Sequence, residues 1–446
     1  MRHNDEAARR AAELVQQHGV HTVECAFPDT WGALRGKRVP GSQFGNVAAS
    51  GYTIANAAFI WDPLCGIFEV EFANADTGYP DMIATPDPET FRVLTWREGT
   101  AIAMCDCTEV LSPEPVPLDP RHILRTAEAR LARHGYTATV ATELEFYLCD
   151  TDWQPLYPDI QCYSITKGAE LEHIMSDIRR KMEDFGIVVE ASNTEYGPAQ
   201  LEVNLKYGAP LLVADNTALF KYAVKEIARN HGTRATFMSK PFMGFSGNGT
   251  HVHISLRNAA GDNVFAANDL DEGFIRNALM KRCVSGLLEH QLEIAAIASP
   301  TINAYRRFED HSFAPTYLNW GGDNRGVAIR CVTDHGPATR IEVRTGSAEA
   351  NPYLLIAAQL AAVCDALEHD YELPPMCEGN AYAQQDRPMM PRTLQDSIEA
   401  LKSGRLLRGS FGDVFANNTI ALLQHEVDEF NKQVTEWEKN RYMEVS

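Results

Sequence analysis

The sequence lacks the features that mark several other classes of protein. No apolar run reaches the roughly 18 residues that a membrane-spanning helix needs. The N-terminus has no apolar signal-peptide core, so we expect a cytoplasmic protein that does not enter a membrane. No two cysteines form a CxxC pair, and the P-loop motif GxxxxGK followed by Ser or Thr is absent. The closest cysteines, Cys105 and Cys107, lie in a strand-like segment and are interpreted as small buried apolar residues.

Positive charge is also scarce. The chain has 40 Lys and Arg residues against 60 Asp and Glu residues, which gives a formal net charge of −20. This balance excludes nucleic acid as a main partner, because binding the phosphate backbone needs a basic surface. An anionic substrate must therefore be held by a local group of arginines and metal ions.

The length and the prolines indicate two domains. A chain of 446 residues is longer than one ordinary hydrophobic core requires. Four prolines between Leu111 and Pro120 are typical of an extended linker. We therefore predict domains at residues 1–108 and 109–446. Capping and helix-breaking residues predict helices from Asn4 to Gly19, from Asp119 and Pro120 to near Gly135, and, as one long polar helix, over about residues 417–442.

Polar side chains recur on one face of strand-like segments. In YTATVATELEFYLC, residues 136–149, Glu143 and Glu145 share one face and Leu144 and Phe146 take the other, because side chains alternate along a strand. The same arrangement recurs with His251, His253 and Ser255, with Arg340, Glu342 and Arg344, and with Glu195 and Glu202 around a Gly-Pro turn. Each segment alone is compatible with a strand that faces water. Four in one chain, each with apolar residues behind, indicate strands that line one polar cavity.

The side chains of that cavity predict its chemistry. Carboxylates with imidazole and no thiolate cluster suit hard divalent cations such as Mg²⁺ or Mn²⁺. Such ions and several arginines together neutralise the charge that develops on phosphate oxygens during phosphoryl transfer. A glycine-rich segment, residues 245–249, leads into the histidine strand and can contact a substrate through its backbone. The residues alone therefore predict metal-assisted phosphoryl transfer.

The order of the motifs resembles the glutamine synthetase superfamily along the whole chain. The matching motifs are Glu143-x-Glu145, Glu195 with Glu202, TFMSKP at 236–241, Gly247-x-Gly249-Thr250-His251-x-His253-x-Ser255, NAYRR at 303–307, DNR at 323–325, RIEVR at 340–344 and NPYL at 351–354. The resemblance implies an α+β fold with a small β-grasp-like N-terminal domain. It implies a larger catalytic domain in which a curved antiparallel sheet lines the active site. It also implies a homo-oligomer, a dodecamer, with active sites between subunits.

The resemblance assigns roles to individual residues. The first metal would be bound by Glu145, Glu195 and Glu202, and the second by Glu143, His251 and Glu342. The ATP-binding residues would be His253, Ser255, Arg330 and Arg340, with the catalytic Arg325 on the γ-phosphate. Glutamate would be bound by Arg307, Arg344 and the backbone of Gly247, with Arg307 also catalytic. Asp29 would reach the amine site of a neighbouring subunit. Without the resemblance, the sequence would favour an ordinary turn residue at this position.

One position departs from true glutamine synthetases. Their loop after the Tyr-Lys/Arg-Arg motif carries a glutamate just before Ala-Pro, and that carboxylate binds ammonium and takes its proton. Here the position is Phe313, whose ring can accept no proton. The loop also carries Glu309 and Asp310, either of which could hold the distal ammonium of a diamine, whereas Phe313 and Trp320 could pack an alkyl or aryl group. An organic amine is therefore favoured over ammonia.

We predict an ATP-dependent ligase that joins glutamate to an organic amine, such as a polyamine, ethanolamine, an alkylamine or an aniline, through γ-glutamyl phosphate. Three alternatives remain at this stage. The chain could be an ordinary glutamine synthetase, a non-catalytic scaffold of the same fold, or a ligase of a different acid.

Overall fold

The computed structural model describes residues 4–266 and 273–445, and the chain is α+β, as predicted. Its N-terminal part is built around one mixed sheet. In chain order the elements are α1 (Asp5–His18), β1 (Thr22–Pro28), β2 (Leu34–Pro40), α2 (Gly41–Ser50), β3 (Tyr52–Ala55), β4 (Asp81–Pro86), β5 (Arg92–Val93) and β6 (Thr100–Glu109), with short 3-10 turns at Asn56–Phe59 and Pro88–Thr90. The strand order is β2-β1-β6-β4-β3, and β5 also pairs with β6. The central pair β1 and β6 is parallel and the other pairs are antiparallel.

The first helix and the cysteine pair are as the sequence predicts. Helix α1 is capped by Asn4, whose side chain accepts a hydrogen bond from the Ala7 N–H at 3.1 Å. It ends at Gly19, whose φ of 62° lies in the left-handed region that glycine adopts without steric cost. Cys105 and Cys107 are both buried on β6.

The larger part contains a second sheet and most of the helices. Its elements are α3 (Pro120–Arg133), β7 (Thr137–Cys149), α4 (Ile165–Asp184), β8 (Val189–Thr194), β9 (Gln200–Leu205), α5 (Pro210–Asn230), β10 (Arg234–Thr236), β11 (Gly249–Arg257), α6 (Ala278–Ala298), β12 (Trp320–Gly322), β13 (Ile329–Val332), β14 (Arg340–Ser347), α7 (Pro352–Glu368), α8 (Leu394–Ser403), α9 (Leu406–Phe411), α10 (Asp413–Asn431) and α11 (Glu436–Tyr442), with 3-10 turns at Ala304–Arg307 and Ala381–Ala383. The strand order is β12-β13-β14-β11-β7-β9-β8, with β10 added to β7. All pairs except β12 with β13 are antiparallel.

The register of this sheet brings the predicted polar residues together. Glu143 on β7 lies opposite His251 on β11, and Glu145 lies opposite Glu202 on β9. On the other side of β11, His253 lies opposite Glu342 on β14. Because side chains alternate, the intervening Leu144, Phe146, Val252 and Ile254 are buried behind the polar face. The helix α5 packs on β7, α6 packs on β14, and the buried α7 packs against α6, α3 and α5.

The linker turns back onto the N-terminal sheet. Asp119 caps α3 by accepting from the Arg121 N–H, and its other oxygen accepts from the Cys107 N–H at 3.0 Å. The fully buried Arg121 pairs with Asp106 at 2.9 Å and with Asp215 on α5. Strand β6 ends at Glu109, next to the boundary placed between residues 108 and 109, and the division into domains stays a prediction.

The predicted C-terminal helix is wrong in one respect. Residues 417–442 do not form one helix, because α10 ends at Asn431 and α11 starts at Glu436. Thr435 and Glu438 form a capping box at the start of α11, in which each side chain accepts from the other's backbone N–H. This box satisfies the free N–H groups of a new helix start and stabilises the break. Among the described helices, none is long and apolar enough to cross a bilayer.

Candidate active site

Three side chains on adjacent strands form the centre of the site. The His251 Nδ1 lies 3.2 Å from Glu143 Oε2 and 3.5 Å from Glu342 Oε1. Burial opposes ionisation of Glu143, but hydrogen bonds from His251 and His253 outweigh it and lower its pKa. Burial likewise opposes ionisation of Glu342, and Arg344 together with the two histidines lowers its pKa to about 2. Ligand atoms of Glu143, His251 and Glu342 lie within 4.8 Å of one another, so these three could hold one cation.

A second group of carboxylates lines a cavity of about 170 Å³ next to this centre. Its members are Glu145, Glu195 and Glu202. Glu145 accepts a hydrogen bond from the Gly249 N–H at 2.6 Å, and Glu195 accepts from Asn193 at 2.9 Å. Burial and then repulsion from neighbouring carboxylates raise the pKa of Glu195 to about 7 and that of Glu202 to about 9. These are carboxylates that need a nearby positive charge in order to ionise at neutral pH.

Both predicted metal sets fit a hard divalent cation. Each offers carboxylate oxygens, only the set of His251 adds one imidazole, and no thiolate is among them. The raised pKa values of Glu195 and Glu202 have the direction expected when two or more carboxylates face each other without a cation. Of the two predicted sets, only Glu143, His251 and Glu342 bring ligand atoms within 4.8 Å of one another in the described residues, so they could hold one ion; binding of a second ion by Glu145, Glu195 and Glu202 stays a prediction.

Two buried arginines reach the same cavity. Arg307 donates to the carbonyls of Thr345 and Gly346, and burial lowers its pKa to about 10. Arg344 pairs with Glu342 and donates weakly to the Phe313 carbonyl at 3.4 Å. Within the described part of the chain, the Nε of neither arginine has a hydrogen-bond partner. Two buried guanidinium groups with free N–H donors are suited to bind a carboxylate.

Gly247 lies directly over Arg307 at the edge of this cavity. A Cβ at this position would lie 2.7 Å from Arg307 Cγ and 2.6 Å from the Ser239 carbonyl oxygen. Only glycine lets the backbone approach this closely. The predicted substrate contact of Gly247 is therefore compatible with its place.

The predicted ATP-binding residues border a second cavity of about 420 Å³. Its walls include His253, Ser255 and Arg340, and it meets the metal centre at Glu143. The His253 Nε2 lies 3.0 Å from Glu143 Oε1, and the Arg340 Nε–H donates to His253 Nδ1 at 3.2 Å. Arg330 does not line this cavity; it donates to Glu342 at 2.7 Å and pairs with Asp323. Its predicted contact with ATP stays a prediction.

Arg325 lines the carboxylate cavity from the opposite side. It is exposed, and its positive charge offsets part of the effect of burial, which raises the pKa of Glu195. Its predicted role on the γ-phosphate stays a prediction.

Phe313 stands at the mouth of the carboxylate cavity. It is 47% exposed, and its ring stacks on Tyr196 with a centroid distance of 5.4 Å. Its φ of 61° is unusual for a residue with a side chain, so the loop holds it in a strained conformation. Tyr163 lines the same cavity. The loop around residues 308–315 contributes Ser312, Phe313 and Ala314 to the described lining, and no carboxylate.

Two sequence-based contacts to the amine are not supported. Glu309 points to the buried Lys240, with Glu309 Oε2 3.2 Å from Lys240 Nζ, and it does not line the cavity. Trp320 is buried on β12, where its indole N–H donates to the Pro374 carbonyl at 2.7 Å. Both side chains find partners in the folded chain that their local sequence does not reveal. Asp310 is exposed on the loop but does not line the cavity.

The Asp29 carboxylate makes hydrogen bonds and an ion pair within its own chain. It is buried, accepts from the Trp31 and Ala33 N–H groups at 2.9 Å, and pairs with Arg35 at 2.8 Å. The Asn351 side chain, at the start of α7, donates to the Asp29 carbonyl. Both carboxylate oxygens are therefore engaged, and a role at the site of a neighbouring subunit stays a prediction.

Sequence reasoning missed the two tyrosines, Tyr163 and Tyr196, and the buried Lys240. Tyr196 follows Glu195 directly in the turn between β8 and β9, so its neighbour in sequence was a usable signal. Tyr163 and Lys240 lie in irregular segments, and only the folded chain places them beside the loop and cavity.

Comparison with known proteins gives a consistent result. Residues 117–442 match the family model described as the catalytic domain of glutamine synthetase. A glutamate–isopropylamine ligase from a Pseudomonas species is 35% identical, over 99% of both chains. A gamma-glutamylethanolamide synthetase from Streptomyces coelicolor is 36% identical, over 97% of this chain and 94% of its own. A glutamine synthetase from Halobacterium salinarum is 30% identical over 98% of this chain and 96% of its own. The solved structure titled "Apo GmaS without ligand" superposes with a TM-score of 0.87 at 29% identity, covering 97% of this chain and 99% of that one.

Proposed function

Because the chain belongs to the glutamine synthetase family, we propose that it is an ATP-dependent ligase that joins L-glutamate to a small organic amine. The product is a γ-glutamylamide. The observation that carries this proposal is the aromatic pair of Phe313 and Tyr196 at the cavity mouth, with no carboxylate from that loop among the described lining. An apolar wall favours an amine that carries carbon over ammonium, which has no surface to bury.

The residues divide the work between two neighbouring cavities. Glutamate enters the cavity of Arg307, Arg344 and Gly247, where the free guanidinium donors hold its α-carboxylate. ATP occupies the cavity of His253, Ser255 and Arg340, with its γ-phosphate toward Glu143. The γ-carboxylate of glutamate attacks that phosphorus, and ADP leaves. Arg325 and Arg330 then neutralise negative charge on the phosphoryl oxygens.

Mg²⁺ or Mn²⁺ bound at the two carboxylate sets would supply charge neutralisation for the phosphate oxygens and the attacking carboxylate. The protein's own part is to hold those ligands in place, since Glu143 and Glu342 already take hydrogen bonds or ion pairs from His251, Arg330 and Arg344. These contacts fix the direction in which each carboxylate faces the cavity.

The second step is attack of the amine nitrogen on γ-glutamyl phosphate. The C–N bond forms, phosphate leaves with the bonding electrons, and the amine loses a proton. Since no loop carboxylate lines the cavity in the described residues, an amine that arrives neutral or loses its proton to an acceptor outside the loop fits best. Asp29 of a neighbouring subunit is the acceptor we propose, in a homo-oligomeric, dodecameric assembly in the cytoplasm. Its carboxylate would have to leave Arg35 to act.

An amine panel tests the proposal. Purified protein with Mg²⁺, ATP and glutamate should release phosphate faster with isopropylamine, ethanolamine, a diamine or an aniline than with ammonium at equal concentration. Mass spectrometry should detect the matching γ-glutamylamide. Rates with ammonium equal to those with every organic amine would contradict it, and omission of glutamate tests whether another acid is used.

Glutamine synthesis is the second candidate, because glutamine synthetases such as that of Halobacterium salinarum align along nearly the full chain. It predicts glutamine as the main product when ammonium competes with the organic amines. A scaffold without activity is disfavoured by the intact ligand sets, and a titration without Mn²⁺ binding would favour it again.

A further inference from the structure

A third cavity, of about 860 Å³, lies outside the active site. Helix α5, strand β10 and the loop at residues 31–34 form its walls. Within the described residues, none lines both this cavity and either of the two active-site cavities. The cavity therefore needs an explanation of its own.

The walls of this cavity carry three cationic side chains for which the described residues provide no ion-pair partner. Lys221 and Lys225 are four residues apart on α5 and so share one face of the helix. Arg234 starts β10 on the opposite wall. In the described part of the chain, none of these three side chains forms an ion pair, and only Lys221 makes a hydrogen bond, to the Ala350 carbonyl at 3.4 Å.

Aromatic rings hold these cations in place. The Lys221 and Lys225 Nζ atoms lie 5.6 and 5.8 Å from the centre of the Phe237 ring. The Arg234 guanidinium lies 4.8 Å from the centre of the Trp153 ring. Cation–π contacts of this kind direct a cation but do not neutralise its charge.

The acidic groups nearby are already engaged. Glu349 is the carboxylate in the described lining, and its two oxygens accept from the Ser239 N–H at 3.2 Å and from the Thr301 hydroxyl. The fourth cation, Arg229, pairs with Glu226. Burial and then the charge of Lys225 lower the pKa of Lys221 to about 7. Lys221 is therefore not fully charged at neutral pH, and an anion bound beside it would favour its ammonium form.

We propose that this cavity binds a small multivalent oxyanion, a phosphate- or dicarboxylate-bearing metabolite, between Lys221, Lys225 and Arg234. Two ammonium groups act as point charges, and one guanidinium offers paired donors to two oxygens. The volume is within the range of known small-molecule sites and exceeds that needed for phosphate alone. The site does not depend on which amine the active site uses.

Calorimetric titration of the full-length protein tests the proposal. Inorganic pyrophosphate, inorganic phosphate and succinate are titrated separately, with EDTA present so that no metal carries pyrophosphate into the active site. Lys225→Gln and Arg234→Gln should each weaken binding of the best probe about tenfold, since each removes a charged hydrogen-bond donor. Among the described residues neither side chain has a hydrogen-bond partner to lose, so the fold should be retained, and thermal unfolding checks this.

Arg180→Gln is the matched control. Arg180 is exposed on α4, outside the described lining of the cavity. Its substitution removes one positive charge, as each cavity variant does. The Arg180→Gln variant should bind the best probe with a dissociation constant within about twofold of that of the wild type. Binding that is unchanged in both cavity variants, weakened as much in the control, or absent for all three probes up to about 10 mM would overturn the proposal. Preference for succinate or for the phosphates identifies the type of oxyanion.

Tryptophan fluorescence gives an independent measurement. An anion that engages Arg234 alters the environment of Trp153, so emission should change with the same midpoint as the heat of binding. Trp153→Phe should remove most of that change while pyrophosphate still binds. Trp31 also lines the cavity, so only a fluorescence change that survives both Trp153→Phe and Trp31→Phe would place the anion elsewhere.

Discussion

Replacement of Phe313 by glutamate tests the assignment of the amine most directly. The change restores a carboxylate at the position where the sequence departs from true glutamine synthetases. It also removes the ring that stacks on Tyr196 at the cavity mouth. We expect activity with organic amines to fall and activity with ammonium to rise, because the variant exchanges an apolar wall for a negative charge.

The size of the effect follows from how much of the amine's apolar surface Phe313 covers. Burial of one methyl or methylene group contributes about 0.8 kcal/mol, so a three-carbon amine gains roughly 2.4 kcal/mol when fully buried. A single wall covers about half of that surface, so roughly 1.2 kcal/mol of this gain is expected from Phe313. That corresponds to about eightfold in kcat/KM. A carboxylate about 4 Å from ammonium attracts it by about 4 kcal/mol at an effective dielectric constant of 20, before desolvation is subtracted.

The assay is the ratio of kcat/KM for isopropylamine to kcat/KM for ammonium. It should fall at least tenfold in Phe313→Glu, whereas Phe313→Leu should keep it within about threefold of wild type. Both variants place a side chain at the same φ of 61°, so any backbone strain is shared and cancels in the comparison. A ratio that is unchanged in Phe313→Glu, or that falls equally in both variants, would refute the aromatic wall as the origin of amine preference.

Three further predictions concern the metal centre, the loop and the fold. Glu342→Gln should lower kcat/KM about 100-fold or more together with Mn²⁺ affinity in a titration, and unchanged affinity would exclude it as a ligand. Lys240→Met should raise the KM for the amine severalfold by freeing the loop, as should Glu309→Gln; wild-type KM values in both would contradict an anchoring role. Arg121→Met should lower the free energy of unfolding in urea by about 3–5 kcal/mol, because buried carboxylates lose their partner. Arg125 is half-exposed, so Arg125→Met should lower the free energy of unfolding by less than about 1 kcal/mol. Equal losses in the two variants would refute the distinction between the buried and the exposed ion pair.

The polar faces of the strands were predictable from sequence because alternation is a local property. Glu143, Glu145, His251 and Glu342 needed only the period of two to be assigned to one face. That they meet across β7, β11, β9 and β14 depends on strand order, which the chain does not state locally. The resemblance to a known family predicted that these residues share one active site but not the order of the strands that carry them.

Contacts between distant segments were not predictable in this way. Glu309 has a charge that suits an amine, but its partner Lys240 lies 69 positions away in the chain. Trp320 has a ring that suits an alkyl group, but its strand buries it. By contrast, the break in the C-terminal helix had a local signal, since Thr435-x-x-Glu438 is a capping-box pattern. The residues around this pattern are good helix formers, so their helix propensity favoured the prediction of one continuous helix.

In the proposed function, the residues that select the amine are separate from those that transfer phosphate. The predicted metal ligands lie on strands of one sheet, or at the turn after one in the case of Glu195, and neighbouring strands fix their directions. Phe313 lies on a loop that is held by the Lys240–Glu309 ion pair and by the contact of the Phe313 carbonyl with Arg344 on β14. A substitution on this loop can change the shape and charge of the cavity mouth without moving a carboxylate of the sheet. The same phosphoryl-transfer site can therefore serve different amines. The identity of the amine has to be inferred from the loop that carries Phe313 and not from the predicted metal ligands.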